Sequence, residues 1–91
     1  MADVAYAIHL EPAFTGGYFV TCRDLPELLV AGDGTEDTVR RASEALDLLL
    51  TILIDEDVAP PLPTPLRTAE VWIQPSEPVR RQLRYYFSSP R

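Results

Sequence analysis

A chain of 91 residues makes one small domain, because single domains usually run to about 100–200 residues and a shorter chain has no room for two cores or a large cleft between lobes. Hydrophobic residues at 46% and charged residues at 24% are ordinary globular values that exclude disorder, collagen-like repeats and low-complexity polymers. Fourteen acidic residues against eight basic ones give a net charge of −6, the wrong overall sign for a protein held to nucleic acid by its bulk field, so any nucleic-acid contact must be local.

Val4 to Leu10 alternates, with Val4, Tyr6, Ile8 and Leu10 on one side and Ala5, Ala7 and His9 on the other, the two-residue period of a half-buried strand. Thr15, Gly16 and Gly17 signal a turn, and Tyr18 to Cys22 has the aromatic and β-branched composition of a second strand. A turn centred near Phe14 sets Leu10 against Tyr18, Ile8 against Val20 and Tyr6 against Cys22, leaving Ala7, His9, Phe19 and Thr21 on the opposite face. Asp24–Leu25–Pro26 ends that strand, since proline cannot donate to a ladder, and Leu28 to Ala31 offers a third strand closed by Gly32, Asp33 and Gly34.

Thr35 is the expected N-cap of a helix over about 36–54, with Glu36 and Asp37 at the positive end of its dipole. Val39, Ala42, Leu46, Leu49 and Leu53 form its apolar stripe. Ala45, Leu50, Ile52 and Ile54 widen that stripe late in the helix, while the early, polar half is expected to face water. Val58 to Leu66, reading VAPPLPTPL, carries four prolines in nine residues. It reads as a stiff crossover rather than a proline-rich ligand. Thr68 to Ile73 has strand composition. From Ser76 a second, short helix places Val79, Leu83, Tyr86 and Phe87 on one stripe and Arg80, Arg81 and Arg84 to one side. The fold class is therefore α+β: a two-layer β-β-β-α-β sheet-and-helix domain over residues 1–75, followed by a helical tail over 76–91.

Cys22 is the single cysteine, so neither an intrachain disulfide nor a cysteine-pair zinc site is available, which fits a reducing cytosol. Apolar runs of about 18 residues or more are lacking, and Met1–Ala2–Asp3 does not resemble the start of a secretory signal. The expectation is a soluble, cytoplasmic protein without membrane contact.

Metal-dependent hydrolysis needs carboxylates converging on one spot. Glu11 stands at a strand end, while Asp24, Glu27 and Asp33 stand in or beside loops, where solvation and capping are their ordinary work. A remnant nuclease using Glu11, Asp24 and Asp33 is the weaker alternative. His9 is read as a packing or hydrogen-bonding residue and Cys22 as a small core residue. Gly16–Gly17 and Gly32-x-Gly34 lack the spacing of phosphate-cradling loops. No cofactor, no metal and no enzymatic activity are expected.

Residues 1–66 hold 3 basic and 12 acidic residues, a net −9, and the remainder 5 basic and 2 acidic, a net +3. The arginines of the tail stand among Tyr85, Tyr86 and Phe87, a mixture that suits stacked bases or a protein interface. An acidic chain offering one short helix favours the interface. The apolar stripe must be covered by the core or by another subunit, with the arginines expected to pair to a neighbouring subunit's acidic loops. Association into at least a dimer follows from the small core.

Tyr6-x-Ile8, then Gly17 to Cys22, Asp24–Leu25–Pro26, Ala31–Gly32–Asp33, Thr35–Glu36 and an alanine- and leucine-rich helix follow one another in a recognisable order. Over about Tyr6 to Ile73 this order resembles the HicB family of antitoxins. The resemblance implies a sheet-and-helix core similar to part of an RNase H fold without its catalytic acids. It also implies a binder that silences a small ribonuclease toxin of the HicA type by covering its catalytic histidine and RNA-binding surface. The residues expected to meet that partner are Asp24, Leu25, Pro26, Glu27 and Asp33, and those expected at an oligomer or tail contact are Arg80, Arg81, Leu83, Arg84, Tyr86 and Phe87. Glu27 stands where the family usually has glycine. About eighteen residues follow the fourth strand, enough for one helix but not for the DNA-binding domain that many relatives carry there. Two alternatives stand beside the antitoxin: a self-associating interaction protein without a toxin, and a transcriptional autoregulator.

Overall fold

The computed structural model describes residues 4–88. Four strands, β1 (Tyr6–Pro12), β2 (Tyr18–Cys22), β3 (Val30–Gly32) and β4 (Glu70–Ile73), and two helices, α1 (Thr35–Asp55) and α2 (Glu77–Ser88), follow in the order β1-β2-β3-α1-β4-α2. The sheet is antiparallel throughout, in the order β3-β2-β1-β4. The first strand in sequence is thus an inner strand and the last is an edge.

The β1–β2 register differs from the expected one by two residues: Ile8 faces Cys22, Leu10 faces Val20 and Pro12 faces Tyr18. The turn is responsible. Gly16 and Gly17 both adopt positive φ, 103° and 76°, conformations that glycine reaches without a side-chain clash. The loop closes with Ala13 N–H donating to Gly17 O at 2.9 Å and Gly16 N–H donating to Ala13 O at 3.1 Å. The turn therefore centres on Thr15 rather than Phe14. A shift of two preserves the faces: Tyr6, Ile8, Val20 and Cys22 lie in the core, and Ala7, His9, Phe19 and Thr21 lie on the other side.

Helix α1 covers the first face through Ala42, Leu46 and Leu50, all fully buried. Its N-cap is Gly34 rather than Thr35, and no side chain caps it. Thr38 instead donates to Gly34 O through both its hydroxyl (2.6 Å) and its N–H (2.9 Å). The early half of α1 does not simply face water, because Thr38 is fully buried where the helix starts close above β3. At the other end the expected broad stripe is only partly covered, with Leu48 and Ile52 exposed. β3 starts two residues later than expected because Leu28 is a core residue of the preceding turn, whose N–H donates to Leu25 O at 2.9 Å. β4 also starts two residues late, because Ala69 takes a positive φ of 69° just before it.

Helix α2 packs beside α1, and Val79 and Leu83 join the same core cluster as Ile73, Ile8 and Leu46. The stripe of the tail is thus covered by its own chain. Among the described residues, no helix is long and apolar enough to cross a membrane.

Candidate partner-binding surface

The turn after β2 is held from beneath. Both carboxylate oxygens of Asp24 accept from Thr64, whose hydroxyl donates to Oδ1 at 2.8 Å and whose N–H donates to Oδ2 at 2.9 Å. Leu25 is buried, which leaves Pro26 and Glu27 projecting into solvent. Arg23 crosses the helix-free face of the sheet to Glu70 on β4, donating to both carboxylate oxygens at 2.7 Å. It also donates to Thr64 Oγ1 at 2.7 Å and to Pro65 O at 2.8 Å. A fork of this kind fixes orientation as well as charge. With the Arg67 N–H also donating to it at 2.8 Å, the Glu70 carboxyl is lowered to about 2, chiefly by Arg23. The proline connector is thereby strapped to the sheet, and the buried Ala7 lies between β2 and β4 on that face. On the connector's helix side, the Tyr6 hydroxyl donates to Pro61 O at 2.7 Å.

Asp33 lies at the other end of the sheet. Because Tyr18 pairs with Gly32, Asp33 flanks the β1–β2 turn, whereas Asp24 to Glu27 follow Cys22 four residues further along β2, roughly 13 Å away. The five expected partner residues thus form two separate patches, and Leu25 belongs to the core. Asp33 is exposed and its N–H donates to Asp37 Oδ2 at 3.1 Å. Asp37 also binds Arg40 at 2.6 Å and Arg41 at 2.9 Å. These bonds, led by the Asp33 N–H, hold its carboxyl below the usual range. Ala13, Thr15, Tyr18, Asp33 and Arg41 line an open groove of about 300 Å³ here.

The residues considered for catalysis do not converge. Glu11 faces Phe19 near the β1–β2 turn, while Asp24 is at the opposite end and engaged with Thr64. His9 lies across from Thr21 and Glu70 on the helix-free face, its Nε2 3.6 Å from Glu11. The Cys22 thiol, facing Ile8 rather than Tyr6, is buried and donates to Ala7 O at 3.4 Å; burial pushes its pKa up. Among the described residues, no three His, Cys, Asp or Glu side chains are grouped so as to hold a metal ion.

In α2, Arg80, Arg81 and Arg84 all approach Glu77 of their own helix, at 3.0, 3.6 and 3.1 Å. Arg84 is the first cause of the lowered Glu77 pKa. Leu83 is fully buried, Phe87 packs against the core from its edge, and Tyr85 is exposed. Tyr86 donates to Asp57 at 3.3 Å, and an apolar groove of about 390 Å³ runs between Ile54, Tyr85 and Tyr86.

A family profile described as HicB-like antitoxin of bacterial toxin-antitoxin system matches residues 5–82, from before β1 to the middle of α2. The chain belongs to the HicB-like antitoxin family. This HicB-like chain is 36% identical over 64 residues to Antitoxin HicB 1 of Photorhabdus laumondii, a match covering 70% of the chain and 41% of the relative. It is 32% identical over 69 residues to Antitoxin HicB of Escherichia coli K12, covering 76% and 50%. It is 32% identical over 56 residues to Antitoxin HicB of Pseudomonas fluorescens Pf0-1, covering 62% and 36%. The HicB-like chain therefore spans half or less of the curated relatives it matches. Within it, the sequence reading missed Arg23, Thr64 and Glu70. The bonds that join them across the sheet span 40 or more residues of sequence, and the local signal was an arginine beside the Asp24–Leu25–Pro26 turn.

Proposed function

We propose that this chain is the toxin-binding part of a cytoplasmic HicB-type antitoxin, that it neutralises a small basic ribonuclease of the HicA type, and that it performs no catalysis of its own. Membership of the antitoxin family carries the reading. The net charge of −6 supports it, since an acidic surface steers and orients a basic partner. The exposed Pro26–Glu27 projection, rigidly based on Asp24 and Thr64, offers a preformed contact that loses little freedom on binding. The separate Asp33 patch offers a second point of attachment. Asp24, at the opposite end of the sheet from Glu11 and Asp33 and engaged with Thr64, supports a binder over a nuclease.

The test mixes the purified chain with any small basic protein encoded beside it, followed by calorimetry and an RNA-cleavage assay. A complex that suppresses cleavage is expected, with affinity falling as salt rises and falling further for Glu27→Lys and Asp33→Lys. No complex at low salt removes the reading. RNA cleavage by the chain alone with Mg²⁺ or Mn²⁺, abolished in Asp33→Asn, overturns the non-catalytic part of it. Self-association into at least a dimer belongs to the same proposal, supported by the small core and by large apolar side chains left exposed, among them Trp72 and Tyr85.

A further inference from the structure

Strand β4 has an unusual composition for its position. It closes the sheet on one side, pairing with β1 alone, so no strand lies along its outer edge; the Glu70 N–H turns back to Arg67 O at 3.1 Å, which leaves the backbone at Trp72 as the open part of that edge. Exposed edges are normally blunted by lysine, proline, a bulge or an inward charge. Glu-Val-Trp-Ile has none of these, since Glu70 is held on the sheet by Arg23 with its charge balanced. Val71 and Ile73 lie on the core face of the strand, and Trp72 shares the other face with the neutralised Glu70. Val71 lies opposite Ile8 and so points toward the helical layer, yet it is 45% exposed where Ile8 is fully buried. The helical layer stops short of this edge. Trp72, on the other face, is 47% exposed.

We infer that β4 pairs antiparallel with β4 of a second copy, joining two four-stranded sheets into one of eight strands. Three observations favour a second copy as the occupant. The edge has room for another short strand, and β4 of a second copy is a short strand with the same open edge. Copies each carrying −6 repel one another except where the surface is neutral, and beyond the internally balanced Glu70 this edge carries no charge. Finally, a two-fold axis that pairs two edges antiparallel stands perpendicular to the sheet, so both helical layers fall on the same side. The second layer then lies over the half-bare Val71. The left-handed turn at Ala69 ends the extended run on one side and Pro75 on the other, so the run from Glu70 to Gln74 centres on Trp72. That residue meets its own copy at the axis.

The inference rests on the self-association proposed above and supplies its surface. Trp72 is the sole tryptophan, so fluorescence reads this edge directly. Light scattering and emission are followed together on the intact chain across a dilution series. A dimer is expected whose dissociation shifts the emission to longer wavelength, and Trp72→Lys, which sets like charges face to face, is expected to raise the dimer Kd about 30-fold or more while far-ultraviolet circular dichroism stays native. A monomer at every concentration overturns the self-association itself. A dimer whose tryptophan emission does not change on dilution overturns the β4 surface alone, as does a folded Trp72→Lys chain that dimerises normally. If that variant does not fold, the wild-type emission series decides.

Discussion

Gly32 shows how little room the fold leaves where α1 begins. A Cβ built there falls 2.8 Å from the Thr38 Cα and 2.5 Å from its hydroxyl oxygen, so the helix backbone would have to move. Gly32→Ala is expected to cost about 1–3 kcal/mol, read as a lowered urea midpoint with an unchanged slope. Glu70 makes a pH prediction of the same kind. Its carboxyl lies at about 2 in the folded chain against 4.5 ordinarily. A depressed carboxyl contributes stability that is fully present above its unfolded value and is lost as pH falls through the folded one. The wild type should therefore lose melting temperature between pH 4.5 and 2 more steeply than Glu70→Gln, and the difference between their melts isolates the Arg23 pair from Asp37 and Glu77, whose carboxyls are lowered too. Parallel melting curves would show that the pair carries no linkage.

Elements were legible in the sequence where one face meets one neighbour. The alternation from Tyr6 to Leu10 and the stripe through Ala42 and Leu46 each report local burial, and both elements formed with the expected faces. The register of the β1–β2 hairpin was not legible. Two adjacent glycines allowed several turns of similar composition, and only the closed geometry selects the one centred on Thr15. The candidate surface was legible in its residue types but not in its assembly: Asp24 and Asp33 look like one acidic patch in sequence, whereas β2 runs between them. The tail stripe named the right residues without its partner, which is α1 of the same chain. Leu83→Ala should accordingly destabilise the isolated chain by about 2–5 kcal/mol, and Leu48→Ala, on the exposed side of α1, by no more than about 0.5 kcal/mol. Equal effects in a thermal melt would contradict the docking of α2.

On the scale of the whole molecule, one concentration of like charge works against stability. Asp55, Glu56 and Asp57 crowd the negative end of the α1 dipole, with no basic residue in its last turn. Glu56→Lys should raise stability by about 0.3–1 kcal/mol while slowing association with a basic partner; a variant that is no more stable would show that the dipole term is screened. The sheet order carries a further consequence, one that concerns synthesis on the ribosome. β1 becomes an inner strand, and β2 covers one of its edges within a few residues. The strand that covers its other edge does not begin until Glu70. At about 5–20 residues per second, translation leaves that edge open for roughly 3–12 s. Through that interval the nascent chain presents an uncovered template to proteases and to the strands of other proteins, and only the arrival of β4, strapped down by Arg23, closes it.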